Sequence, residues 1–241
     1  DVARMFGASK RTRGNRVCIL STSGGAGIIA ADSCDALGLE VPSLSVPLRQ
    51  EVERFIPGFG SSLNPVDMTA QVINDPEGFR KLLALMEEST EVDMILTVIS
   101  MITGDSGLRM AKDLADAYET GKKPVACCWL IDDEHGREFR ELLSSRGVPV
   151  FSSLRRAASG LSMLAAWERR PALASSEPCQ EWTPRLQALE GDLTEAEAKA
   201  LLDSYGVPIT RERLCRSLSE SIAAAEEIGY PVALKVMSPD I

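Results

Sequence analysis

The chain has 241 residues, of which 44% are hydrophobic and 25% are charged, and its formal net charge is −9. This composition is typical of an ordinary soluble globule. The acidic balance argues against a basic nucleic-acid surface, and no apolar run approaches the roughly 20 residues of a membrane span. We therefore expect neither a nucleic acid nor a membrane as a partner.

The N-terminal stretch DVARMFGASKRTRG is too polar to be a signal peptide. It begins with Asp1 rather than methionine, so we expect a piece of a longer chain. The six cysteines show no C-x-x-C spacing, and Cys18, Cys127 and Cys128 lie in apolar patterns. We interpret the cysteines as reduced thiols of a cytoplasmic protein.

Short apolar runs alternate with helical patterns from residue 17 to residue 168. The predicted strands are residues 17–20, 39–45, 92–99, 124–131 and 148–151. The predicted helices are residues 27–37, 47–55, 76–88, 108–118, 137–145 and 154–167. The alternation indicates βαβ units, and the nearly continuous apolar strands indicate a parallel sheet that is covered on both faces.

The composition changes at Arg169. Residues 169–191 contain several prolines and no clear period, which predicts a linker or surface wrap in which Trp182 docks on another part of the protein. Residues 192–241 then predict the order helix, strand, helix, strand. A piece of about 50 residues has little core of its own. We therefore expect the truncated start of a second domain.

Two helices and a final strand are predicted in this second piece. Thr194 and Glu197 have the spacing of a capping box at the start of the first helix. The second helix covers residues 219–228, and the strand covers residues 231–237. Lys235 interrupts the apolar pattern of that strand, and a lysine on a buried strand requires a charged partner.

The first predicted strand ends in STSGGAG, which opens the first helix. The residues Gly24, Gly25, Ala26 and Gly27 present backbone N–H groups with little or no Cβ in front of them, and the helix dipole adds roughly half a positive charge there. The spacing is neither G-x-G-x-x-G nor that of a P-loop. Two interpretations are open: a phosphate-binding turn, or a tight turn with close packing of the helix on the sheet.

Three loops should emerge at the carboxyl ends of the strands, where ligands of parallel sheets collect. These loops contain residues 23–27, Asn64, Asp67, Thr69, Gly104, Asp105 and Ser106. For Asn64 and Asp67 a purely local role in a turn is the alternative. We expect the helices that follow Ser23 and Gly104 to begin at the same edge of the sheet.

His135 is the only histidine, and it follows a predicted strand in the run DDEH. The three carboxylates beside it would repel a phosphoryl group, so we favour a solvated helix start over a catalytic role. Ser159, in RRAAS, has the form of a basophilic kinase target. The core spacing of the helix around it favours a structural position.

A basic cluster precedes the first predicted strand. It consists of Lys10, Arg11, Arg13 and Arg16. We interpret residues 1–16 as a solvated N-terminal arm, and a contact of the cluster with a CoA phosphate or with another subunit is the alternative.

Several segments, taken in their order, resemble one known family. The first five segments are TSGGAGIIAADSCDALGLEVPSLS, NPVDM, EVDMILTVIS, GKKPVACCWL and GVPVFSSLRRAASGLSMLAAW. They resemble the flavodoxin-like ligase domain of NDP-forming acyl-CoA synthetases, which are relatives of succinyl-CoA synthetase. The two closing segments are LTEAEAKALLDSYGVPIT and SLSESIAAAEEIGYPVALKVMSPDI. They resemble the opening of an ATP-grasp module. The resemblance implies a three-layer αβα ligase domain over residues 17–168 and an incomplete α+β ATP-grasp segment over residues 192–241.

The resemblance also implies an activity. Members of this family make acyl-CoA from a carboxylate, CoA and a nucleoside triphosphate, and the phosphoryl group travels through a phosphohistidine. By resemblance, the helix N-terminus at residues 24–27 faces that phosphohistidine, and Lys235 contacts nucleotide phosphate. The phosphohistidine itself is expected upstream of this chain. We therefore expect no catalytic residue and no metal ligand here, and no activity from this piece alone.

The implied cofactors are ATP, CoA and Mg²⁺. The implied partners are a small-molecule carboxylate and other domains or subunits of the same enzyme, in a homo-oligomer. Some relatives are protein lysine acetyltransferases whose regulatory region keeps the fold without ligase activity. An acyl-CoA-binding regulatory region is therefore the alternative to a ligase.

Overall fold

The computed structural model describes residues 1–7, 10–170 and 193–237. The chain divides into two compact units, Asp1–Leu173 and Ala174–Ile241. The predicted linker, including Trp182, lies outside the described residues except for its first two positions. Within the described part, no helix is both long and apolar enough to cross a bilayer.

A five-stranded sheet, parallel throughout, forms the centre of the first unit. Its strands are β1 (Val17–Ser21), β2 (Val66–Asp67), β3 (Met94–Ser100), β4 (Val125–Leu130) and β5 (Val150–Phe151). Their spatial order is β2-β1-β3-β4-β5. This is the order of flavodoxin-like folds, and it confirms the predicted fold class.

Helices cover both faces of this sheet. They are α1 (Val2–Gly7), α2 (Gly24–Asp35), α3 (Val46–Val52), α4 (Gly78–Glu88), α5 (Gly104–Thr120), α6 (Asp133–Ser145) and α7 (Leu154–Glu168), with a 3₁₀ helix at Ala70–Asn74. The helices α1, α2 and α7 bury their side chains in one core, and α3, α4, α5 and α6 bury theirs in the other. The unit therefore has the predicted three layers.

The strand predicted at residues 39–45 does not form. Glu40 makes a single isolated bridge with Arg16. Pro42 has no N–H group with which to extend that bridge into a ladder. The strand beside β1 is instead β2, which lies inside a segment that we predicted to be a loop, because two residues are too few to show a period.

The predicted solvated arm is also wrong. Met5 of α1 is 1% exposed and lies in the core with α2 and α7. Nζ of Lys10 donates to the carbonyl oxygen of Gly121 at 2.9 Å, and burial lowers the pKa of this lysine. Arg16 is bonded to Asp93. The arm is held because the C-terminal end of α5 offers carbonyl groups that no helical N–H satisfies.

The cysteines of the first unit lie in its two cores. Burial raises the pKa values of the Cys18, Cys34, Cys127 and Cys128 thiols to about 12. These four cysteines and the half-buried Cys215 are free thiols, as predicted. At neutral pH the four core thiols are protonated, and they behave as small apolar side chains.

The second unit contains α8 (Glu195–Ser204) and α9 (Leu218–Ile228). The predicted capping box is present, since Thr194 N donates to Glu197 Oε2 at 2.9 Å and Thr194 Oγ1 accepts from Glu197 N at 3.4 Å. The predicted strand at residues 231–237 is absent. Leu234 is 81% exposed there, and no described strand lies beside this segment to pair with it.

Candidate functional site

The order of the strands places a crevice between β1 and β3. The chain leaves β1 through α2 on one face of the sheet and leaves β3 through α5 on the other. Such a reversal is the point at which open parallel sheets bind ligands, at the carboxyl ends of the strands. Since β1 and β3 are parallel neighbours, α2 and α5 begin at the same edge, as the sequence predicts.

Each glycine at the start of α2 meets different surroundings. A Cβ added to Gly27 would lie 3.3 Å from the Cβ atoms of both Ser21 and Pro65, so this glycine allows close packing of α2 on the sheet. A Cβ added to Gly24 would lie 2.9 Å from Oδ2 of Asp67. A Cβ added to Gly25 would meet no atom within 4 Å. The packing interpretation therefore accounts for Gly24 and Gly27, whereas nothing in the described chain accounts for Gly25.

The turn that leads into α2 is fixed by short-range hydrogen bonds. Ser21 Oγ donates to the carbonyl of Ser23 at 2.7 Å and accepts from the N–H of Ser23 at 3.1 Å. Ser23 is the N-cap, and its hydroxyl oxygen accepts from Ala26 N at 3.5 Å. These hydrogen bonds shape the segment before α2 without a ligand, and the first N–H groups of α2 follow directly from it.

Thr22 ties this turn to β3. Its N–H donates to the carbonyl of Val98 at 3.0 Å, and its Oγ1 accepts from the N–H of Ser100 at 2.9 Å. The sequence analysis did not single out Thr22. Its position in the sequence could have indicated this role, because a threonine that directly follows an apolar strand lies at the carboxyl end of that strand.

The loop from β3 to α5 has an uncommon backbone. Met101 has φ 58° and Gly104 has φ 59°, so both lie in the left-handed region, which is costly for methionine. Nε1 of the buried Trp129 donates to the carbonyl of Ile102 at 3.2 Å. The ring of Trp129 stacks on Phe139 with 4.8 Å between centroids. This tryptophan, which was not among the predicted site residues, supports the loop from the buried side through its hydrogen bond to Ile102.

The two helix starts differ in charge. The first turn of α2 contains no acidic residue, whereas that of α5 contains Asp105. Neither residues 22–27 nor residues 101–106 include a lysine or an arginine. An acidic side chain in the first turn already satisfies the positive end of the helix dipole of α5. At α2 the neighbouring carboxylate comes from another element, since Oδ2 of Asp67 on β2 lies beside Gly24.

Apolar side chains flank the opening. Ile28 and Ile29 of α2 are 62% and 57% exposed, and Met101 is 76% exposed. A group of large exposed apolar side chains beside a polar turn is typical of a surface that contacts another protein segment.

Asn64 does not face the opening. Its Oδ1 accepts from the N–H of Ile19 at 2.9 Å, and its Nδ2 donates to the carbonyls of Val17 and Pro42 at 2.8 and 3.1 Å. The side chain therefore continues the hydrogen bonding of β1 where a neighbouring strand is missing. Its hydrogen-bonding atoms are committed to the backbone, so we leave it out of the proposed site.

His135 and Ser159 are on α6 and α7, outside the loops of the glycine turn and of β3. His135 is in the exposed first turn of α6, and its Nδ1 lies 2.9 Å from Oδ1 of the N-cap Asp132. The hydrogen bond with Asp132 raises the pKa of His135 and lowers that of Asp132. Ser159 is half-buried on α7, beside the buried Ala158. These are the solvated helix start and the structural position that we favoured.

Lys235 lies in the second unit with a carboxylate as its partner. Its Nζ is 3.1 Å from Oε1 of Glu195, and its side chain is 65% exposed. Glu195 also pairs with Lys199 at 2.8 Å. The two lysines, Lys199 first, lower the pKa of Glu195. In the described ranges, no group of three or more His, Cys, Asp or Glu residues could hold a metal ion.

Comparisons with known proteins match both units. Residues 17–103 match the Ligase-CoA domain family, and residues 185–241 match an ATP-grasp domain family. The ADP-forming acetate–CoA ligase I of Archaeoglobus fulgidus is 29% identical over 96% of this chain and 34% of its own length. The ADP-forming 4-hydroxybutyrate–CoA ligase of Nitrosopumilus maritimus is 26% identical over 100% of this chain and 35% of its own length.

The chain is related to the NDP-forming acyl-CoA synthetases. It spans about a third of the length of these two synthetases. A protein of known structure from Pyrococcus horikoshii superposes with a TM-score of 0.62 at 27% identity, over 68% of this chain and 38% of that one. The order of a CoA-ligase domain followed by an ATP-grasp segment, which the synthetase resemblance implied, is thus confirmed.

Proposed function

We propose that the chain is part of an NDP-forming acyl-CoA synthetase, in which the N-terminus of α2 faces a phosphohistidine and stabilises its phosphoryl group. The single observation that carries the proposal is the bare approach to Gly25, which is exposed and has no atom within 4 Å of the position of a Cβ. The relationship to ADP-forming CoA ligases supplies the reaction class.

The chemistry of α2 suits a group that must arrive and leave. Backbone N–H groups and the helix dipole stabilise phosphate oxygens by partial charges. No lysine or arginine of residues 22–27 adds a full charge that would hold the group as an ion pair. The preformed turn needs little rearrangement when the phosphoryl group arrives, which is the condition for electrostatic stabilisation of a reacting group.

The proposal assigns the remaining components to the whole enzyme. Its substrates are a carboxylate, CoA and ATP, with Mg²⁺ bound alongside the nucleotide, and the enzyme is a homo-oligomer. The phosphohistidine lies upstream of this chain, so the piece alone is inactive. Ile28, Ile29 and Met101 contact the domain or subunit that carries the phosphohistidine, which accounts for their exposure here.

The test substitutes Gly25 in the full-length protein. Alanine at this helical position meets open space and gains helix propensity worth up to about 1 kcal/mol, so the melting temperature should stay constant or rise. Labelling of the protein by ATP carrying radioactive γ-phosphate should nevertheless fall, moderately in Gly25→Ala and at least tenfold in Gly25→Val, because the side chain takes the place of phosphate oxygens.

The matched control is Gly58→Ala. Gly58 is also exposed and has no atom within 4 Å of a Cβ, but it lies in a loop away from α2. Labelling of this variant should equal that of the wild type. Wild-type labelling in Gly25→Val would contradict the proposed role of α2. A wild-type protein that binds acyl-CoA but is never labelled would instead support the regulatory alternative.

A further inference from the structure

Asp67 is the last residue of β2, and its backbone is held on both sides. Its N–H donates to the carbonyl of Ser61 at 2.9 Å, and its carbonyl accepts from the N–H of Ser61 at 3.2 Å. In the side chain, Oδ1 accepts from the N–H of Thr69 at 2.9 Å. Thr69 has φ 54°, so this hydrogen bond helps to hold an uncommon backbone conformation. The carboxylate is therefore fixed in place.

The second oxygen of this carboxylate faces α2. Oδ2 lies 2.9 Å from the position that a Cβ on Gly24 would take, and this contact explains why residue 24 must be glycine. A full negative charge thus stands beside the first residue of α2, one residue before the open position at Gly25.

We propose that Asp67 limits the affinity of the α2 N-terminus for a phosphoryl group by repulsion between like charges. The inference rests on the proposed function, because it assigns a second property to the same site. Two anions a few ångströms apart at a partly hydrated surface repel each other strongly enough to change a binding constant about tenfold. Asp67 in this way prevents the site from retaining the phosphoryl group that it stabilises.

The test is Asp67→Asn in the full-length, unphosphorylated protein. Asparagine keeps the shape of the side chain and the Oδ1 acceptor for Thr69, removes the charge, and replaces Oδ2 by an NH2 group, whose contribution would not depend on salt. Calorimetric titration with inorganic phosphate should show affinity that is about tenfold higher than that of the wild type. The gain should shrink as the concentration of NaCl increases, because salt screens the repulsion. A purely structural role for Asp67 would produce no such salt dependence.

Asp35→Asn is the matched control. It removes one carboxylate charge, as Asp67→Asn does, but Asp35 is the exposed last residue of α2, about 16 Å from Gly24 along the helix axis. Phosphate affinity should not change in this variant. A second control combines Asp67→Asn with Gly25→Val. The gain should disappear in the double variant, because its binding position is blocked.

The results of these experiments distinguish a failure of the Asp67 proposal from a failure of the proposed function. Unchanged phosphate affinity in Asp67→Asn would overturn the role of Asp67, and so would a gain that is independent of salt or that persists in the double variant. In each of these cases reduced phosphohistidine labelling in Gly25→Val leaves the proposed function standing. Wild-type labelling in Gly25→Val overturns both.

Discussion

Arg16 and Asp93 form a two-point ion pair that joins the entries of β1 and β3. Nε of Arg16 donates to Oδ2 of Asp93 at 2.8 Å, and Nη2 donates to Oδ1 at 2.8 Å. The backbone N–H of Arg16 adds a third bond to Oδ2 at 3.1 Å. The Asp93 side chain is 9% exposed, so water competes little for these bonds. The crevice lies between the carboxyl ends of β1 and β3. The ion pair fixes these two strands to each other at their opposite, amino ends.

This pair gives the stability of the protein a pH dependence of known sign. The hydrogen bond from Arg16 lowers the pKa of Asp93 below its usual value of 3.8. A lowered carboxyl pKa stabilises the fold above the unfolded-state pKa, and that contribution is lost as the pH falls through the folded-state value. We expect Asp93→Asn to lower the free energy of unfolding by about 1–3 kcal/mol at pH 7. The difference from the wild type should narrow below about pH 3.8.

Urea titrations at pH 7 and pH 3 measure this difference. Asp75→Asn is a suitable control, because Asp75 is exposed and lies outside the ion pair. A wild-type advantage of the same size at both pH values would show that Asp93 acts through packing and not through its charge.

Asn64 offers a second prediction, since one side chain serves three backbone groups. In Asn64→Asp the carboxylate would face the carbonyl oxygens of Val17 and Pro42, which Nδ2 now satisfies. We expect a loss of about 3 kcal/mol, because this half-buried carboxylate would face two acceptors to which it cannot donate. Asn64→Ala should lose less, about 1–3 kcal/mol. Guanidinium titrations should show this order, and Asn74→Asp at an exposed position should be neutral. The reverse order would mean that the amide donor is unimportant.

Lys235 gives a third prediction, on the full-length protein. Lys235→Met should lower the affinity for ATP by one to two orders of magnitude, the scale of a charge-assisted contact of about 1.5–3 kcal/mol. Lys199→Met is the matched control, because Lys199 pairs with the same carboxylate of Glu195. Calorimetric titration with ATP should separate the two variants. Equal affinities for the wild type and Lys235→Met would mean that Lys235 is an exposed lysine without a nucleotide role.

The sequence located the long central strands well and the short ones poorly. β4 is an uninterrupted apolar run, and β3 is apolar except for Thr97 and Ser100, which is the pattern of strands buried on both faces. β2 has two residues, and where it does not extend along β1 the side chain of Asn64 bonds to β1 instead. No periodic pattern exists in such a case. Only the tertiary contact shows that residues 66–67 belong to the sheet and residues 39–45 do not.

The candidate site shows a similar division. The run of glycines predicted the position of the turn, and the strand order confirmed that it lies at the carboxyl edge. The reason for each glycine was not accessible from the sequence, because it depends on what lies opposite. For Gly24 that is Asp67, for Gly27 it is Ser21 and Pro65, and for Gly25 it is open space. Close packing and open space thus occur at neighbouring positions.

The two hydrogen bonds of Thr22 have a consequence for motion at this edge. They fasten the turn before α2 to the carbonyl of Val98 and to the N–H of Ser100, both in the central strand β3. Amide hydrogens in such a position exchange with solvent only when the central sheet itself opens. The turn is therefore held in place by the sheet, and in the proposed function it is the part that does not move. In a reaction that moves a phosphoryl group between distant sites, the travel must come from the segment that carries the group.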